Sequence, residues 1–244
     1  MMKKWGICLL AVGLFFAACK NDDDVQEISQ EDQNQVDDEA IVQYLEDHYF
    51  EPERGLIKKY DDEDETDDEY PNLKSLGTKL NSGVWVIKRP EVPAEGPSVI
   101  ENTQDSIWIS YDSKMFRASN DNVETDGDRL YGTTSAFFNT INSTGVAAWD
   151  PYFYYSHLTD EMISNDITLS HFVIEGFVEG LKQFKSTQTS GTDLYNFQGA
   201  IIVPSRLAYA RDYIYSGGQL RNDIYRNVSF IFNFELHKVI PRTN

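Results

Sequence analysis

The sequence predicts an α+β fold in which a short helix packs on antiparallel strands, and three stretches predict it. His171–Phe184 (HFVIEGFVEGLKQF) carries Val173, Ile174, Phe177, Val178, Leu181 and Phe184 at the spacing of one helical stripe. Asn227–Val239 (NVSFIFNFELHKV) alternates Val228, Phe230, Phe232, Phe234 and Leu236 with Ser229, Ile231, Asn233, Glu235 and His237. That is the pattern of a half-buried antiparallel strand with one aromatic face. Gly199–Pro204 (GAIIVP) is an apolar run of the length of a buried strand. With 244 residues, 41% of them hydrophobic and 13% aromatic, the chain can build one sizeable core.

From the N-terminus, residues 1–18 have the plan of an export signal: Lys3 and Lys4, an apolar run Trp5–Phe16, then Ala17 and Ala18 before Cys19. The run is short for a membrane span. Small residues before a cysteine resemble the bacterial lipoprotein signal, which implies that Cys19 is lipidated and becomes the mature N-terminus. The other cysteine, Cys8, lies in the segment that would be removed, so no disulfide is expected. The acidic stretch Lys20–Asp24 resembles the export signal of Bacteroidetes lipoproteins. It implies lipid attachment to the outer membrane, facing the cell surface, with the periplasmic face as the alternative.

Residues 19–38 are polar and acidic without apolar periodicity and read as a flexible tether. Residues 39–82 read as a short helix, Glu39–Tyr49, followed by an acidic loop. Within it, residues 61–69 hold eight carboxylates in nine positions. A calcium loop of EF-hand order needs a central glycine, which this run lacks, so a solvated, disordered loop is expected and weak calcium binding stays open. The net charge of −19 opposes binding to nucleic acid or an anionic membrane surface.

Residues 83–241 have the texture of a strand-rich domain. Val84–Ile87 and Ser106–Phe116 read as strands, the second placing Tyr111 on the same side as Ile107 and Ile109. Residues 117–134 and 140–166 read as insertions, the latter holding the aromatic run Trp149–Tyr155. Gly176 and Gly180 each cost a helix about 1 kcal/mol relative to alanine, which reads as close approach of the helix to a sheet.

Conventional catalytic groups are sparse. His48, His157, His171 and His237 show no paired ligand spacing, and the chain has no glycine-flanked serine or phosphate-cradling loop. No metal site and no cofactor are expected.

Three segments occur in order: Val173–Leu181 (VIEGFVEGL), Ile201–Tyr209 (IIVPSRLAY) and Asn227–Leu236. Together they resemble the FKBP-type peptidyl-prolyl isomerases, over roughly residues 83–240 with the insertions unmatched. The resemblance implies a twisted antiparallel sheet wrapped over one short helix, with an aromatic proline pocket between them. It assigns Tyr111, Phe177, Tyr209 and Phe232 as catalytic positions and Val173, Ile174 and Ile224 as substrate-binding positions. Phe177 stands where the family has tryptophan, and Ala210 where it has glycine. For the family's Phe-Asp-Ser segment the candidates are Phe138-Asn139-Thr140 and Trp149-Asp150-Pro151. The implied partners are proline-containing peptides or unfolded proteins, met by a monomer held to the membrane by its lipid alone. The alternative is an FKBP-like binding module on the envelope that does not turn substrate over.

Overall fold

Ser229–Pro241 is an inner strand of a seven-stranded antiparallel sheet, flanked by Gly199–Val203 and Asp105–Phe116. The computed structural model describes residues 27–125, 129–142, 145–191 and 195–243. The expected leader and Cys19 lie outside the described residues. The helices are α1 (Gln30–Asp47), α2 (Leu73–Leu76), α3 (Asn122–Thr125), α4 (Asp160–Ser164) and α5 (Glu175–Leu181). Strands β1 (His48–Phe50) and β2 (Ile57–Lys59) form one hairpin, and β9 (Ile214–Ser216) and β10 (Gln219–Arg221) another. The main sheet runs β3 (Gly77–Lys79), β4 (Trp85–Lys88), β8 (Gly199–Val203), β11 (Ser229–Pro241), β5 (Asp105–Phe116), β6 (Ser135–Asn139), with β7 (Ala148–Trp149) also on β5. No described helix is long and apolar enough to cross a membrane.

Strand alternation divides the core in two. On one face Ile107, Ile109, Tyr111, Phe230, Phe232 and Phe234 pack with Ile174, Phe177 and Leu181 around α5. The glycines of α5 permit this approach. A Cβ on Gly176 would lie 2.5 Å from Val203 Cγ1, and one on Gly180 would lie 2.6 Å from Ile201 Cγ2. On the other face Ile87, Ala200, Ile202 and Ile231 pack against Ile41, Tyr44 and Leu45 of α1.

The second face overturns the half-buried reading of the last strand, because Ser229, Ile231, Asn233, Glu235 and His237 are all buried as well. Their polar groups are bonded by what covers them. Asn233 accepts from the Ile57 N–H at 3.1 Å and donates to the Gly55 carbonyl at 3.0 Å. Thus the β1–β2 hairpin is fastened over the strand, which is how a buried amide avoids its desolvation cost.

The boundary between tether and helix moves. α1 starts at Gln30, well before Glu39, with Ser29 capping it by accepting from the Asp32 N–H at 3.0 Å. Residues 30–38 are therefore folded, and Val36 and Asp37 are buried. Polar residues on the buried side disguised this turn: Gln33 donates to Asp37 at 2.8 Å and to the Ala118 carbonyl at 3.1 Å. Residues 39–82 also contribute a strand that the sequence reading lacked, since β3 enters the main sheet beside β4.

α5 is shorter than His171–Phe184. The Ile174 N–H donates to the Phe153 carbonyl at 2.8 Å, which holds Val173 and Ile174 outside the helix. The acidic run is ordered as turns and a short 3₁₀ segment, Asp67–Glu69. Its Asp67 carboxylate is buried and accepts from the Asp61 N–H at 2.9 Å.

Candidate functional site

The two central strands and α5 bring the expected residues together. Tyr111 of β5 is opposite Phe234 of β11 in register, two residues along from Phe232. Val173 and Ile174 lead into α5, which supplies Phe177. Tyr209 follows a 3₁₀ turn, Ser205–Leu207, that Pro204 opens. These six share one buried cluster, and Ile224 packs at its margin. The ring centroids of Phe177 and Phe232 are 4.4 Å apart.

Other rings complete the cluster, and Phe153 meets three of the expected ones. Its centroid is 5.1 Å from Phe232, 5.2 Å from Phe177 and 5.4 Å from Tyr111. Phe137 of β6 packs against Phe153 at 5.7 Å and Phe230 at 4.8 Å. Tyr225 stacks on Tyr209 at 5.5 Å. The run Trp149–Tyr155 was the sequence signal for Phe153, but an aromatic run does not say which ring turns inward.

In this arrangement the rings face one another rather than solvent. Phe177 and Phe153 are each 1% exposed and Phe232 is 0% exposed. The Tyr209 hydroxyl donates to the Phe172 carbonyl at 2.5 Å. Burial pushes its ionisation, and that of Tyr111, above the ordinary tyrosine value. Both hydroxyls therefore stay neutral across the physiological range.

Neither candidate for the Phe-Asp-Ser segment places an acid among the rings. Asp150 accepts from Ser106 Oγ at 2.6 Å, from the Ile107 N–H at 2.9 Å and from Arg242 at 2.7 Å. It thereby ties the last residues of the chain to the start of β5. Phe138 is 45% exposed, while Thr140 accepts from the Tyr111 N–H at 3.0 Å and supports β5.

The N-terminal segment grips the loop that carries Tyr209 and Ile224. Asp37 of α1 accepts from the Ser205 N–H at 3.0 Å, and Asp38 pairs with Arg206 at 2.9 Å. At the far end of the loop, Glu27 pairs with Arg226 at 2.6 Å and accepts from Asn227 at 3.1 Å. Burial raises the Asp37 carboxyl above its usual value, opposed by its bonds to Ser205 and Gln33.

A second polar cluster, which the sequence did not single out, lies on the opposite face of the sheet. Glu235 accepts from Thr187 at 3.0 Å, Thr189 at 2.8 Å and the Asn196 N–H at 2.7 Å. His237 bonds Ser110 through Nε2 at 2.8 Å and Thr189 through Nδ1 at 2.5 Å. Burial pushes the Glu235 carboxyl up, but the bonds from His237, Asn196 and Thr189 outweigh it and hold the group below its ordinary value. The cluster pins Thr187, Thr189 and Asn196 to β11. Among the described residues, no three His, Cys, Asp or Glu side chains form a group that could hold a metal ion.

No family model matches the chain, and no curated protein matches it. Among solved structures, the crystal structure of FkpA from Escherichia coli is similar at 17% identity and a TM-score of 0.35. The match covers 68% of this chain and 52% of that one, so the chain spans about half the length of FkpA.

Proposed function

We propose that this chain is an FKBP-like peptidyl-prolyl isomerase or folding helper that acts on X–Pro bonds of peptides and unfolded proteins. The observation that supports it most is the convergence of Tyr111, Val173, Ile174, Phe177, Tyr209 and Phe232 in one cluster under one short helix. Rotation about X–Pro must break amide resonance, against a barrier of about 18–20 kcal/mol. A dry aromatic surface favours the twisted, less dipolar amide over the planar one. The reaction needs no titrating group, in keeping with a ring cluster that holds neutral tyrosines. Access for proline requires the Phe153 ring to swing aside and the Tyr209 hydroxyl to exchange the Phe172 carbonyl for one of the substrate. A proline-peptide isomerisation assay on the full chain tests the reading. Acceleration that Tyr209→Phe reduces supports it, and no acceleration by the wild type contradicts it.

A second reading has its own observation. Phe153 fills the middle of the ring set, which favours a binding module that engages partners without turnover. A partner retained by the full chain and lost on removal of residues 140–165, with no isomerisation, would support this reading. We also propose lipid attachment at Cys19 and an outer-membrane position facing the cell surface. Proteolysis of intact cells that spares the chain would place it on the periplasmic face instead.

A further inference from the structure

A cleft of about 330 Å³ opens beside α5, bordering the ring cluster. Leu169, Val173 and Val178 give it an apolar lining, and Val173 belongs to the ring cluster as well. Glu175 and Glu179 also line it, one helical turn apart on α5. Lys182, the cleft's own cation, is engaged by Glu101 at 3.2 Å. Neither Glu175 nor Glu179 has an ion-pair partner among the described residues, so the cleft carries unbalanced negative charge over an apolar lining.

We propose that this cleft receives a lysine or arginine side chain of the same peptide whose proline enters the ring cluster. The inference rests on the isomerase reading and narrows its substrate class to prolyl segments with a neighbouring basic residue. Two features select that occupant. Lysine and arginine have long aliphatic stems that cover apolar surface while the charged head stays at the rim. A cation between Glu175 and Glu179 also relieves the repulsion of like charges one helical turn apart. A norleucine side chain would fill the same lining but leave both carboxylates unpaired, and a glutamate would be repelled.

Binding of fluorescent peptides to the full chain, read by anisotropy, tests this. The set holds proline peptides with lysine on either side of the proline, their norleucine counterparts, and the lysine peptides with alanine in place of proline. The better lysine peptide is expected to bind about fivefold tighter than its norleucine counterpart, the scale of partly exposed ion pairs. That preference should vanish in the Glu175→Gln/Glu179→Gln double variant and shrink at about 0.5 M salt. Equal binding of lysine and norleucine peptides, or a lysine preference that survives in the double variant, overturns the inference. If the alanine peptides keep a glutamate-dependent lysine preference while no proline peptide is isomerised, the cleft stands and the isomerase reading falls.

Discussion

The ring of Phe153 lies 5.1 Å from that of Phe232, so a residue from the turn after β7 fills the space among the rings of Phe232, Phe177 and Tyr111. It is held there by its own backbone, because the Phe153 carbonyl accepts from the Ile174 N–H at the entrance to α5. Phe153→Ala removes a fully buried ring, and the expected loss of stability is about 3–5 kcal/mol. Denaturant unfolding measures it. The same variant should bind proline peptides more tightly than the wild type, since the space no longer has an internal occupant.

The N-terminal turn of α1 should prove part of the fold. Deleting residues 1–38 removes Val36 from the second core, the Asp37–Ser205 bond and the Ser29 cap. Loss of a buried valine and a cap alone amounts to about 2–4 kcal/mol. Thermal unfolding of the shortened chain against one beginning at residue 20 is expected to show a lower midpoint. An unchanged midpoint would restore residues 30–38 to the tether.

His48 sets a pH dependence. Its ring stacks on Tyr44 at 3.7 Å and Nδ1–H donates to the Tyr44 carbonyl at 2.8 Å, leaving Nε2 without a proton. Burial holds its folded pKa at about 4, below the ordinary 6.5. Between these values the unfolded chain takes up a proton that the folded chain refuses. Stability contributed by the neutral ring is therefore present above pH 6.5 and is lost as the pH falls toward 4, by about 3 kcal/mol in all. Unfolding free energies measured across that window should flatten in His48→Gln, which keeps a donor for the Tyr44 carbonyl.

Gly180→Ala separates helix propensity from packing. Alanine favours an isolated helix by about 1 kcal/mol, yet its Cβ would stand 2.6 Å from Ile201 Cγ2 on the central sheet. Overpacking of this kind costs about 1–3 kcal/mol, so a net loss of stability is expected. A stabilised variant would mean that α5 can lift from β8.

Much of the sheet was legible because its residues obey a single period. Phe230, Phe232 and Phe234 alternate cleanly, and the paired glycines of α5 announced a close approach that Val203 and Ile201 bear out. What could not be read depended on partners distant in sequence. Asp37 looks like one more solvated acid until the Ser205 N–H is placed against it. Asn233 and His237 look outward-facing until the β1–β2 hairpin covers the one and Thr189 the other. The clustering of Tyr111, Phe177 and Phe232 is what the FKBP resemblance implied, whereas the choice of Phe153 among its aromatic neighbours is a tertiary matter.

The most direct measurement is the isomerisation rate of a proline tetrapeptide with the full chain, its Tyr209→Phe variant and its Phe153→Ala variant side by side. The proposed function predicts acceleration by the wild type, a reduced rate with Tyr209→Phe, and a rate with Phe153→Ala at least equal to the wild type while that variant remains folded. No acceleration by the wild type or by folded Phe153→Ala would contradict it.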